Sequence, residues 1–221
     1  MIQIKMINRI KAFFINKIII YSIKKLLGKE EVLKIAHQMI GVLNYGDESV
    51  TGEMYVIKEI LPQHLQKENL TIFDVGANVG NYSHLLEMNF NKSIIYAFEP
   101  NKKAYQEIKN NCKSERVKYY NLGVGSSVGK NHLFSFSELE ATELGTCNEE
   151  ALKSLFGESK KDSIEKIDFD MTSIDSFCKE NEINKIDFLK IDVEGYELEV
   201  IKGAKNMIDA GNISIIQFEF N

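Results

Sequence analysis

Residues 71–80 read TIFDVGANVG. An apolar run of Ile72, Phe73 and Val75 carries one acid, Asp74, and then breaks into Gly76–Ala77–Asn78–Val79–Gly80. The residues after the break, Asn81–Phe90, are spaced as a helix. Strand, tight turn and helix in that order form the opening unit of an open α/β sheet. Gly76 and Gly80 allow the backbone to turn and a ligand to come close. Asn78 is one of the few non-glycine residues that tolerates positive φ. The amides that open the next helix suit an anionic group. Asp74 lies near the strand end, placed to accept hydrogen bonds from a ligand's cation or hydroxyls.

The spacing of this turn is G-x-N-x-G, not the G-x-G-x-x-G of a dinucleotide site. An acid stands two residues before the first glycine, where it would repel a pyrophosphate and attract an ammonium. S-adenosylmethionine carries an ammonium, a carboxylate and a sulfonium, and no phosphate. The turn therefore favours that ligand over the nicotinamide cofactor of an oxidoreductase, which stays as the competing enzyme class. The bland alternative is a glycine turn that only joins a strand to a helix.

Working outward, Ser93–Pro100 (SIIYAFEP) reads as a second strand ending in Glu99. An acid at the tip of the second strand suits ribose hydroxyls, because a carboxylate accepts two hydrogen bonds from a diol. Asn101 is placed to cap a helix over Lys102–Cys112. Val117–Leu122 is a third strand. It runs into Gly123–Gly129, where Asn121 and the loop either edge an adenine or merely turn into a short strand, His132–Phe136. Ser137–Asp162 is polar and acidic, with a helix expected at Glu149–Phe156, and is long for a connection. Ile164–Met171 alternates as a half-buried strand. Thr172 or Ser173 should cap a helix over Ile174–Asn181.

Ile186–Asp192 (IDFLKID) reads as a buried strand that carries charges. Lys190 and Asp192 are two residues apart and share a face. Buried charges cost several kcal/mol each unless paired, on the order of the usual effective penalty. Asp192 falls at the carboxyl end, where open α/β sheets bind ligands, and Val193–Glu194–Gly195 follow at once. A structural Lys190–Asp192 pair and a functional Asp192 are both open on this ground, and the position favours function. Tyr196–Ala210 is expected to be one helix with Leu198, Ile201 and Ala204 inward. Ile213–Phe220 is the last strand. The expected strand order is 3-2-1-4-5. The last strand has no proline or lysine and one acid, Glu219, so it lacks the usual devices that blunt an edge. Self-association through it is the expectation, as an ordered homo-oligomer or as aggregation, unless the basic N-terminal helix folds over this edge and covers it.

The N-terminal part, residues 1–62, reads as a helical extension, and residues 63–221 as the catalytic domain. Residues 1–29 hold seven basic side chains (Lys5, Arg9, Lys11, Lys17, Lys24, Lys25 and Lys29) and no acid. The net charge of −5 thus hides an acidic body, which argues against nucleic acid as a partner. Met1–Gly28 is apolar and basic, but its uncharged runs are too short to span a bilayer. It is expected either to pack as a helix or to rest on a membrane surface. Helices follow at Lys29–Leu43 and at Glu53–Leu61, the latter stopped by Pro62. Cys112, Cys147 and Cys178 are scattered, as free thiols of a reducing compartment are. The location expected is cytoplasmic, with contact to a membrane through residues 1–28 as the alternative to their packing. No Cys/His cluster or HExxH-like spacing marks a metal centre.

FDVGANVGNYS (73–83), AFEPN (97–101), TSIDSF (172–177) and FLKIDVEGYELEVIKGA (188–204) together resemble the FkbM-type methyltransferases. Order and spacing match as well, over roughly residues 50–220. The resemblance implies a doubly wound, Rossmann-like class I fold that uses S-adenosyl-L-methionine and methylates hydroxyls of sugars, glycans or similar small molecules. It assigns Asp74, Gly76, Ala77, Asn78, Gly80 and Glu99 to the cofactor motif, and Asp192 and Glu194 to the reacting end. Either acid could take the hydroxyl's proton or help hold a divalent metal. The family continues past the strand matched by Ile213–Phe220 with a final hairpin, and this chain stops at Asn221. A shortened, catalytically silent cofactor-binding protein is therefore a further reading.

Overall fold

The computed structural model describes residues 52–111, 114–136 and 164–219. The expected helices at 1–28 and 29–43, and the helix expected at Glu149–Phe156, lie outside the described residues. The chain divides into two compact units, one ending at His64 and one starting at Leu65.

In the first unit the described residues 53–64 are helical, with Ile57 and Leu61 buried. Pro62 does not stop this helix, which runs on to His64. A proline ring clashes with the carbonyl four residues back in a regular α-turn. Here the turn just before it, Val56–Ile60, is the wider π form, which relaxes that register.

The second unit is built on a five-stranded parallel sheet. In chain order, β1 is Thr71–Val75, α1 Asn81–Asn89, β2 Ile94–Phe98, α2 Lys102–Asn111 and β3 Val117–Tyr120. Then β4 (Gly123–Val124), β5 (Gly129–Phe136) and β6 (Ile164–Thr172) form a second sheet. The chain returns through α3 (Ile174–Glu180) to β7 (Ile186–Ile191), α4 (Glu197–Gly203), α5 (Lys205–Asp209) and β8 (Ile213–Phe218). The large sheet has the order β3-β2-β1-β7-β8, which is the expected 3-2-1-4-5 arrangement. The small one has the order β4-β6-β5, with β5 and β6 antiparallel. The fold is an α/β, Rossmann-like one. Among the described residues β8 is paired to β7 alone.

Strand alternation sorts the core. Phe73, Val75, Phe98, Leu189 and Ile191 share one cluster with Ile174 and Phe177 of α3, Val200 of α4 and Met207 of α5. Phe177 stands edge-on to the rings of Phe73 and Phe98, with centroids 5.7 and 4.8 Å apart. Asp74 and Lys190 are Cα partners across β1 and β7, so both side chains leave the sheet on the opposite face.

Two expectations change in the last third. Tyr196–Ala210 is not one helix: it breaks at Ala204 into α4 and α5. The Asp175 carboxylate, at the start of α3, accepts from the Asn206 and Met207 amides and so caps the second piece. Leu198 does not point inward. It is 64% exposed; Ala204 is buried as expected, and Val200 takes the buried side in place of Leu198. Ser173 is the cap of α3, its hydroxyl accepting from the Ser176 amide. Among the described residues no helix is long and apolar enough to cross a membrane.

Candidate active site

The carboxyl ends of β1, β2 and β7 lie side by side, and the acids singled out in the sequence stand there. They differ sharply in surroundings.

Asp74, the next-to-last residue of β1, is fully buried. The Ser83 hydroxyl of α1 donates to its Oδ2 at 2.6 Å, and Lys190 Nζ lies 3.7 Å from its Oδ1. Asp74 is closed off from solvent, with its charge facing Lys190, while its Oδ1 accepts no hydrogen bond within the protein. That lysine is nearly buried, lies 3.0 Å from Asp192 Oδ2, and sits 4.7 Å from the centre of the Tyr82 ring. The Tyr82 hydroxyl donates to Gln217 Oε1 of β8. Ser83, Asp74, Lys190 and Asp192 thus form one polar line from α1 through β1 to the end of β7.

The turn after β1 is left-handed at three places, with φ of 84° at Gly76, 49° at Asn78 and 90° at Gly80. The first glycine is required by the protein itself. A Cβ on Gly76 would lie 1.7 Å from the carbonyl oxygen of Asp192. The Asp192 amide in turn donates to the Val75 carbonyl. The close approach read from the sequence is therefore between two turns of the chain. At Gly80 an added Cβ would press on Ile108 of α2.

The turn's amides have partners. Gly76 and Ala77 both donate to the Phe98 carbonyl, and Gly80 donates to the Ala77 carbonyl. Asn78 donates to Glu99 Oε2 at 2.8 Å. None of these four amides is left for the anionic group expected there. The turn fits a ligand without phosphate.

Glu99 follows β2 and is 8% exposed. Its Oε1 accepts from the Asn101 amide at 2.7 Å, so each carboxylate oxygen holds one backbone amide. Burial is the largest influence on this carboxyl and pushes it up to about 7. The two amides pull it down, Asp74 adds to the rise and Lys190 opposes it. Asn121 does not simply edge an adenine site: its side-chain amide donates to the carbonyls of Glu99 and Pro100 and so holds Glu99 in place. Asn101 caps α2 as expected, accepting from the Lys103 amide.

Past β7 the chain enters a second left-handed turn, with φ of 52° at Glu194 and 94° at Gly195. Glu197 steadies it: its Oε1 accepts from the amides of Val193 and Gly195. Asp192 is half-buried and Glu194 exposed. The Glu194 carboxyl is raised, by partial burial first and then by the like charges of Asp192 and Glu197. Glu219 joins these two. One carboxylate oxygen from each of Asp192, Glu194 and Glu219 lies within 4.8 Å of the others. Oxygen donors in such a group suit a hard divalent cation. Glu219 was missed as a site residue. The signal lies in the pairing: Ile191 faces Phe218, so the next residue of each strand brings Asp192 beside Glu219. Ser83 and Lys190 carry no local signal of a site role in the sequence; their contacts with buried Asp74 bring them into it.

Cys178 has no part in this. It is buried, and burial pushes its thiol up to about 12, which leaves almost no thiolate.

The sequence is similar to those of known methyltransferases. A methyltransferase of Sordaria araneosa, sdnD, is 29% identical over 187 residues, covering 73% of this chain and 72% of the relative. The hexuronic acid methyltransferase AglP of Haloferax volcanii is 28% identical over 170 residues, covering 75% of this chain and 62% of AglP. The chain thus spans less than two thirds of AglP. The crystal structure of the methyltransferase FkbM from Methylobacillus flagellatus KT aligns at 16% identity with a TM-score of 0.41, covering 79% of this chain and 45% of that one. Residues 74–221 match the methyltransferase FkbM domain, well over half of the sequence and every acid described above. The chain belongs to the FkbM methyltransferase family.

Proposed function

We propose that this protein is an S-adenosylmethionine-dependent O-methyltransferase whose acceptor is a hydroxyl of a sugar, a glycan or a similar small molecule. The observation that carries the reading is the interlock of Gly76 with Asp192. It sets Glu99, a diol acceptor, and Asp192, a proton acceptor, at the same end of the sheet on either side of β1.

The donor set suits the cofactor. Glu99 has both oxygens fixed by amides and keeps lone pairs for a diol, and the turn amides of Gly76, Ala77, Asn78 and Gly80 offer nothing to a phosphate. When bound, the cofactor supplies a methyl on a sulfonium, a leaving group that needs no proton. The remaining work falls to the protein. It must align the acceptor oxygen, which is the larger part of the rate gain in such a displacement. It must also remove the hydroxyl proton, since a sugar hydroxyl is a weak nucleophile. Asp192 is suited to that. Its Oδ2 faces Lys190, which fixes the carboxylate and leaves Oδ1 to take the proton. Glu194 is the second candidate, exposed beside it.

The trio Asp192, Glu194 and Glu219 favours one variant of this reading. These three would hold a divalent cation, whose charge would lower the pKa of a hydroxyl bound to it. Asp192 would then be a ligand and not the base. The sugar-directed activity of AglP supports a glycan acceptor here.

The test is methyl transfer from labelled cofactor to a panel of neutral sugars and sugar acids. Asp192→Asn should keep cofactor binding and lose activity by about a hundredfold or more, the usual weight of a general base. Near wild-type turnover by this variant would make Asp192 structural. Activity abolished by EDTA and restored by magnesium or manganese would select the metal variant.

A further inference from the structure

We propose that Glu197 is a positioning residue of methyl transfer: it holds Glu194 in left-handed backbone and so keeps the Glu194 carboxylate beside those of Asp192 and Glu219. This rests on the reading above that transfer takes place at this end of the sheet.

Among the described residues the non-glycine positions with positive φ are Asn78, Glu182 and Glu194. The first two have local reasons. Asparagine tolerates that region through its short polar side chain. Glu182 follows the end of α3, where the Ile183 amide donates back to the Cys178 carbonyl at 2.8 Å, as chains do when they leave a helix. Glu194 has neither reason. Its side chain is long, it stands ahead of a helix and not behind one, and φ of 52° is a strained setting for it.

Such a setting persists only where the surroundings fix it. The anchor before the turn is the Asp192 amide, which donates to the Val75 carbonyl at 2.9 Å. The anchor after it is Tyr196. Its hydroxyl accepts from the Asn131 side chain of β5 at 3.2 Å, and its ring lies so close to Gly125 that a Cβ there would come within 2.9 Å. Between the anchors, Glu197 Oε1 accepts from the Val193 amide at 3.2 Å and from the Gly195 amide at 3.1 Å. Those are the residues on either side of Glu194. A carboxylate acceptor makes each bond stronger than a neutral one would.

The consequence is one of direction. Glu194 is exposed, so its side chain is aimed by its backbone more than by packing. In this turn one of its oxygens lies within 4.8 Å of oxygens of Asp192 and Glu219. Like charges at that range repel. Release of the two amides would let the turn relax, which relieves the strain and the repulsion together and carries the Glu194 carboxylate away. Glu197 therefore acts on the reaction through Glu194.

The test uses the full chain with labelled S-adenosylmethionine and, as acceptors, glucose, galactose, glucuronic acid and galacturonic acid. Glu197→Ala removes the hold on the turn. Glu197→Gln keeps a carbonyl that accepts from both amides. Glu197→Ala should lower kcat about a hundredfold, the cost of a misplacement of about 1 Å, with KM for the cofactor unchanged. Glu197→Gln should stay within about threefold of the wild type, since neutral hydrogen bonds keep about half the strength. Amide exchange followed by NMR reads the turn with no acceptor present. Val193 and Gly195 should exchange about tenfold faster in Glu197→Ala, while the amides of β7 stay as slow as in the wild type. Glu197→Gln as slow in turnover as Glu197→Ala overturns the inference, because the charge of Glu197 and not its hold on the turn would then matter. Lost turnover with unchanged exchange at Val193 and Gly195 overturns it too, as does a raised cofactor KM with kcat intact. Exchange as expected, but no transfer by the wild type to any of these acceptors with or without magnesium, overturns the reading of function and with it the role of Glu197 in transfer.

Discussion

The two turns that leave β1 and β7 invite comparison because they touch. Both pass through left-handed residues, Gly76, Asn78 and Gly80 in the first and Glu194 and Gly195 in the second. The first keeps its charge inside. Asp74 is sealed against Ser83 and Lys190, the amides are bonded, and Glu99 is held by two of the chain's own N–H groups. The second keeps its charge outside, with Glu194 exposed and Asp192 half open. The difference supports the proposed roles. A cradle for a ligand held in one pose needs fixed, satisfied groups. A group that must exchange protons with an acceptor needs an oxygen left free. Lys190 links the two, since it lies near both Asp74 and Asp192.

The largest expected effect comes from breaking the contact between the turns. Gly76→Val places a side chain on the Asp192 carbonyl and forces a β-branched residue to φ of 84°. Backbone cannot yield there as a side chain can. The expected loss is about 4 kcal/mol or more, at the extreme of single substitutions. Urea unfolding of the variant checks it. A variant as stable as the wild type that fails only in cofactor binding would mean that the glycine serves the ligand and not the fold.

Next comes the lysine between the turns. Lys190→Met keeps the length of the side chain and removes its charge, leaving Asp74 buried with Ser83 alone. An uncompensated buried charge costs about 3 kcal/mol. Adding Asp74→Asn should recover most of that, because the buried charge goes too. Thermal unfolding of the single and double variants measures the coupling. Equal losses in both would show that Lys190 acts on stability through Tyr82 packing and not through Asp74.

The same two turns show how much was legible. Apolar runs broken by glycine, proline or a polar cluster marked the strands of the large sheet, because burial on both faces leaves little choice of residue. Their order followed from the motif at β1. Asp192, Glu99 and the left-handed Asn78 were also readable, since each sits at a strand end or turn with a local chemical reason. The fate of Asp74 was not. Whether a strand-end acid faces a ligand or a lysine depends on register between β1 and β7, a contact of 116 residues' separation in sequence. Glu219 was hidden for the same reason, being brought to Asp192 only by the pairing of β7 with β8. The helix break at Ala204 was missed because the apolar spacing runs on through it, while the capping acid, Asp175, comes from another helix.

The smallest of these effects sharpens the contrast at its least exposed acid. Glu99 belongs to the cradle, yet burial works against its charge and holds it at about 7, against 4.5 for a free glutamate. The folded protein without ligand therefore keeps a proton that the unfolded chain gives up. Between those two values the native state binds more protons than the unfolded one, so stability falls as pH rises. The contribution is fully present below 4.5 and is lost as pH passes through 7. From pH 5 to pH 8 it amounts to about 2 kcal/mol. Glu99→Gln has no such proton and should not show this part of the slope. The measurement is urea unfolding of both proteins at the two pH values. The wild type should lose about 2 kcal/mol more than the variant over that interval. Parallel slopes would mean that the two amides from Asn78 and Asn101 already stabilise the carboxylate as well as water does. The first turn would then hold an ordinary ionised acid, and its contrast with the open acids of the second would be one of access alone.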